Sequence, residues 1–232
     1  MPPLQFCANL TWLFTELPEL SQRIYAAAAA GFRAVEAAWP YDEELLELQR
    51  ARDATGVEMV LINTPPGNLR AGDLGLGAVP GREQEFRQGL EQAVQYAQAL
   101  QCKRIHLMAG RVPLGSNRAD VAQDMERIFI QNLTYAADLL SKDVFHWQIM
   151  DGNLTQNILR YFPHIGHVQV AQVPERNEPD TPGELNFSYL WDVLERHHYQ
   201  GFVGCEYHPL GGTAAGLGWL KEYWTRKEAR ED

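Results

Sequence analysis

Short, nearly unbroken apolar runs alternate along this chain with stretches whose apolar residues recur every three or four positions. The first kind predicts buried strands over residues 4–10, 33–38, 57–63, 104–108, 167–172 and 202–207. The second predicts helices over 21–30, 43–55, 83–100, 120–140, 154–161, 187–198 and 217–230. In helix 83–100, Leu90, Ala93, Val94, Ala97 and Leu100 share one face; Val121, Met125, Ile128, Phe129 and Leu133 do so in helix 120–140. Gly31 and Gly56 each stand just past a predicted helix, where a left-handed residue commonly ends the last turn. Strand followed by helix, repeated, predicts a parallel sheet with both faces covered.

The rhythm breaks twice. Residues 64–82 hold three Pro and five Gly with almost no periodicity, and a connection of that length predicts a functional lid or a loosely held insertion. Then, after Leu140, the chain runs Ser141-Lys142-Asp143 with no turn and no apolar strand. Six strands are therefore expected where a (β/α)₈ barrel has eight, and the deficit falls between Leu140 and Asp143.

Composition narrows the reading. A chain of 232 residues is ample for one large core, and a single domain over 1–232 is expected. The net charge of −10 argues against general affinity for nucleic acid or anionic membranes, though local Arg residues could still hold an anionic substrate. Cys7, Cys102 and Cys205 are widely spaced inside apolar runs, the pattern of buried reduced thiols. No apolar run approaches ~18 residues and no leader pattern opens the chain, so the expected location is cytoplasmic. The sequons at Asn9, Asn132, Asn153 and Asn186 are then chance matches.

The candidate chemistry lies late in the chain. Strand-like runs carry Gln169 and deliver Glu206, and Asp143 precedes them. Carboxylates and amides at the carboxyl ends of parallel strands are how such barrels build active sites. Gln169 alternates with Val168 and Val170 and so faces away from them. His146 and Arg176 stand nearby in sequence as further candidates, against readings as a core histidine and a surface charge. Glu36, Asn63 and His106 also end or line strands, and Cys205 is expected to serve packing.

Eight segments carry a resemblance. They are Phe6-Cys-Ala-Asn-Leu-Thr-Trp-Leu-Phe14, Ala30-Gly-Phe-Arg-Ala-Val-Glu36, Leu61-Ile-Asn-Thr-Pro-Pro-Gly67 and Gly77-Ala-Val-Pro-Gly-Arg82, followed by Ile105-His-Leu-Met-Ala-Gly-Arg111, Asp143-Val-Phe-His-Trp-Gln148, Gly166-His-Val-Gln-Val-Ala-Gln-Val-Pro174 and Val203-Gly-Cys-Glu-Tyr207. In order and along essentially the whole chain, they resemble the hydroxypyruvate isomerase family, within the xylose-isomerase-like TIM barrels.

The resemblance implies interconversion of hydroxypyruvate and tartronate semialdehyde through an enediolate, with two Glu side chains moving the proton. Glu206 matches one of them. Asp143, Gln169 and Glu206 match positions around a divalent cation, expected to be Mg²⁺ or Mn²⁺, with no organic cofactor. His146 and Arg176 match substrate-side positions. The second Glu belongs to the fifth strand of the family. That strand, its helix and most of the sixth strand have no counterpart, a gap on the order of 40 residues. The expected fold is thus α/β, a TIM barrel lacking about two strands, and its activity is expected to be impaired. The expected partner is a small-molecule substrate, with neither nucleic acid nor membrane; assembly into a homo-oligomer is left open. A ketose epimerase and a non-catalytic isoform are the rival readings. An endonuclease is set aside, because the seven His are mostly not at strand ends and the charge has the wrong sign for phosphates.

Overall fold

The structure is a computed structural model describing residues 3–136, 142–143, 153–162 and 165–228. Its strands are β1 (Gln5–Asn9), β2 (Ala34–Ala37), β3 (Glu58–Asn63), β4 (Ile105–His106), β5 (Lys142–Asp143), β6 (His167–Val170) and β7 (Phe202–Cys205). Its α-helices are α1 (Leu20–Ala29), α2 (Leu45–Thr55), α3 (Glu83–Ala99), α4 (Arg118–Ala136), α5 (Leu154–Tyr161), α6 (Phe187–Arg196), α7 (Thr213–Gly216) and α8 (Gly218–Glu228). All pairings among these strands are parallel, in the order β4-β3-β2-β1-β7-β6-β5.

The sheet is open. Its two ends, β4 and β5, are each two residues long, and a closed eight-stranded barrel would need them joined. One expectation is corrected here: a strand does follow Leu140. Lys142 pairs with Val168 and Asp143 with Gln169. Two residues are too few to show a period, so only the ladder offered by β6 makes this segment a strand.

Strand alternation sorts the side chains into two layers. Phe6, Ala8, Val35, Val168, Val170, Val203 and Cys205 belong to the main core under the helices. At its centre Phe6 meets Trp191, Trp219 and Tyr223 edge-on, with ring centroids 5.4, 5.5 and 5.1 Å apart. Such pairs add about 0.5–1.5 kcal/mol each beyond area burial. The intervening residues Cys7, Ala34 and Val60 form a separate small cluster on the other face. That inner face also carries the polar groups of the site.

Helix ends follow the local chemistry. Gly56 takes φ 70° and donates to the Arg52 carbonyl, and Gly31 takes φ 99° after α1. Asn186 caps α6 by accepting from the Tyr189 N–H. Two of the four sequon asparagines are buried: Asn9, and Asn132, whose Nδ2 donates to the Gly77 carbonyl at 2.8 Å.

The 64–82 connection is not loosely held. Gly77 and Ala78 donate to the carbonyls of Met108 and Ala109 at 2.9 and 2.6 Å, and Gly75 bridges Ala109. Gly75 has φ 102°, and a Cβ there would lie 2.6 Å from the Met108 carbonyl oxygen. Arg82 further ties the segment through Asp73 at 3.1 Å and Glu85 at 2.6 Å. Among the described residues, no helix is long and apolar enough to cross a membrane.

Candidate active site

The inner layer centres on Glu36 of β2, fully buried. Its Oε1 accepts from Asn9 Nδ2 at 2.9 Å and Gln169 Nε2 at 2.8 Å; its Oε2 lies 2.6 Å from His167 Nε2 and accepts from the Cys7 thiol at 3.4 Å. Burial by itself pushes the Glu36 carboxyl up. The charge and hydrogen bond of His167, with the bonds from Gln169 and Asn9, outweigh that and hold it below the usual carboxylate range. Room for the carboxylate comes from Gly204 on β7: a Cβ there would stand 2.6 and 2.7 Å from the two oxygens. Among the described residues His167 Nδ1 has no hydrogen-bond partner, although His167 is fully buried.

Cys7, Glu36 and His167 place possible ligand atoms within 4.8 Å of one another. Metal binding would require the thiolate. Burial, then the Glu36 charge, push the Cys7 thiol well above the usual range, so this cluster is better suited to hydrogen bonding than to a cation.

A second cluster lies where the strands end. Glu206 directly follows β7; its Oε2 is 2.9 Å from Arg176 Nη2, and its Oε1 accepts from Trp12 Nε1 at 3.3 Å. The Arg176 guanidinium lies over the Trp12 ring, 5.0 Å from its centroid. Trp12 also meets the His208 ring edge-on at 4.4 Å. Arg176 takes φ 58°, a left-handed conformation costing a non-glycine residue about 1–2 kcal/mol. It is held there by its own N–H to the Gln172 carbonyl at 2.8 Å and by the His208 N–H to its carbonyl at 2.7 Å. The covered part of the His208 ring, then the Arg176 charge, hold that imidazole below its usual value.

The sequence candidates are thus dispersed as well as gathered. Glu206 and Arg176 are in direct contact, whereas Gln169 belongs to the Glu36 layer. The backbone of Asp143 lies beside Gln169 in register. His146 lies outside the described residues. Asn63 is buried at the end of β3, with Nδ2 3.7 Å from Met108 Sδ, and pairs in register with His106. Sequence reasoning passed over His167, Asn9 and Trp12. For His167 a signal existed, since it shares the alternation that turns Gln169 inward. Nothing local marks Trp12.

A sequence profile described as "Xylose isomerase-like TIM barrel" matches residues 24–143 and 140–223. A zebrafish (Danio rerio) protein named "Putative hydroxypyruvate isomerase" is 56% identical over 274 residues, covering 100% of this chain and 99% of that one. The chain belongs to the hydroxypyruvate isomerase family. A "2-oxo-tetronate isomerase" of Cupriavidus necator is 37% identical, covering 96% of this chain and 99% of that one. Among solved structures, "AP endonuclease, family 2" from Brucella melitensis superposes with a TM-score of 0.86 at 38% identity, covering 96% of this chain and 99% of that one.

Family membership also locates the gap. The zebrafish alignment is 274 positions long against 232 residues here, which leaves 42 positions of that protein without a counterpart. The two matched blocks meet at 140–143. The missing segment therefore lies between β4 and β5, the two open ends of the sheet.

Proposed function

We propose that this chain carries an incomplete site for interconverting hydroxypyruvate and tartronate semialdehyde, and that its turnover is strongly impaired. The observation that supports this best is the contact of Glu206 with Arg176 at 2.9 Å, on a carboxylate just past a parallel strand. Arg176 is the anchor for the substrate carboxylate; a guanidinium suits that group by its planar fork of donors. His146 is the further substrate-side residue.

The reaction moves one proton between adjacent carbons. A carboxylate takes it from the hydroxymethyl carbon, an enediolate forms, and a proton is delivered to the neighbouring carbon as the hydroxyl proton passes to the former carbonyl oxygen. Glu206 performs one of the two carbon-centred transfers, and the family's other Glu lies in the segment absent here. Losing one general acid–base group lowers rate by about 10²–10⁴-fold.

By the family pattern Asp143, Gln169 and Glu206 would hold the cation, and a carboxylate and amide set of this kind suits a hard ion such as Mg²⁺ or Mn²⁺. The Gln169 amide fits this use, because its nitrogen is already bonded to Glu36 and its carbonyl oxygen remains the ligand atom. Bound there, the cation would supply charge stabilisation to the enediolate oxygens. A second reading, isomerisation of a four-carbon 2-oxo acid, is favoured by the 37% identity to the 2-oxo-tetronate isomerase, since the same Arg176 anchor serves either acid.

The test is an NMR time course of hydroxypyruvate with Mg²⁺, run on this chain and on a version with the missing segment restored, both shown folded by circular dichroism. Turnover by the restored version alone is expected. Equal turnover by both would refute the role given to the second Glu.

A further inference from the structure

Glu36 is made for holding something still. A carboxylate can only accept hydrogen bonds, so the Gln169 amide can meet it only through its NH₂ group. At 2.8 Å this contact removes the two-fold ambiguity that a free amide has, and it turns the Gln169 carbonyl oxygen away from Glu36. Glu36 is itself held from three further sides by His167, Asn9 and Cys7, and the missing side chain at Gly204 leaves its place open. All these groups lie in the sheet's inner layer: the donors to the β2 carboxylate stand on β1 and β6, and β7 leaves it room at Gly204. The backbone of Asp143 lies next to Gln169 in register.

We propose that Glu36 is a positioning residue which, braced by His167, fixes the Gln169 amide with its carbonyl oxygen presented to a divalent cation. This rests on the reading of Gln169 as a cation ligand. Groups that orient metal ligands in this way are typically worth about 10–100-fold in metal affinity.

Two measurements test it. In the metal-free protein, the Gln169 side-chain NH₂, identified by its loss in Gln169→Glu, should show one downfield, slowly exchanging proton by ¹⁵N–¹H NMR. Free-amide exchange there overturns the proposal without any variant of Glu36. In a Mn²⁺ titration followed by electron paramagnetic resonance, Glu36→Gln should raise Kd by about tenfold. Leu48→Ala, a change in the helix layer away from the site, should lower stability and leave Kd unchanged. If Glu36→Gln does not fold, Glu36→Asp keeps the charge, withdraws it from Gln169 and should show the same weakening. Unaltered Mn²⁺ affinity in the folded variant overturns the positioning role while the cation site stands. If the parent chain binds no Mn²⁺, the reading of Gln169 as a ligand fails, and the positioning role fails with it.

Discussion

A Cβ placed on Gly204 would lie 2.6 Å from Oε1 of Glu36, two strands away in the sheet. That distance is too short for any real contact, so β7 needs a residue without a side chain wherever β2 sends this carboxylate inward. Gly204→Ala should then destabilise the fold by about 1–3 kcal/mol, the usual cost of overpacking a filled core. Urea unfolding checks this. Adding Glu36→Asp should recover part of the loss, because the shorter side chain retreats from the new methyl; strict additivity would argue against the contact.

His167 is the closest partner of Glu36. His167→Leu comes close in volume and removes the hydrogen bond, leaving a buried carboxylate short of a donor. A loss of about 3 kcal/mol is expected, also by urea unfolding. A loss within 0.5 kcal/mol would mean that Asn9, Gln169 and Cys7 satisfy Glu36 on their own.

The same layer sets a pH dependence. Glu36 has its folded-state pKa below the unfolded value of about 4.3, so the stability it contributes is present above that value and is lost as pH falls through the folded pKa. Unfolding midpoints should therefore decline below about pH 4–5. In Glu36→Gln the decline should be shallower across that window, and an unchanged slope would assign the acid sensitivity to other carboxylates.

In the segment-restored protein, Glu206→Gln should lower kcat by about 10²–10⁴-fold with little change in KM. Arg176→Lys should act the other way, mainly raising KM, because an ammonium keeps the charge and loses the planar fork. Steady-state kinetics on both variants separate the proton-transfer role from the anchoring role.

The thiols give an independent check on packing. Burial pushes Cys7 and Cys205 well above the usual thiol range and Cys102 up to about 11. All three should resist a thiol reagent at neutral pH in native buffer and react fully in urea. Fast native labelling of Cys7 would show that the inner layer opens to solvent.

Much of this architecture was legible in advance. Strands β1 to β4, β6 and β7, the main helices between them and the glycine stops at Gly31 and Gly56 follow from short-range spacing, and the structure has them within a few residues. The spacing over 64–82 fits a functional lid or a loosely held insertion, because the anchors that fix the segment, Met108 and Ala109, lie elsewhere in the chain. Strand β5 was missed because its two residues become a strand only against β6.

By itself the sequence determined the order of the main elements apart from β5 and α7, the strand-end position of Glu206 and the place of the missing segment, all of which are local patterns or chain order. The tertiary structure decided who meets whom. Glu36 and His167 are 131 residues apart, and nothing in either segment names the other. Their contact depends on strand order, on the register that turns both inward, and on a glycine two strands away that leaves room. Hydrogen bonds across a sheet are set by register, and register is a property of the assembled strands, not of any one of them.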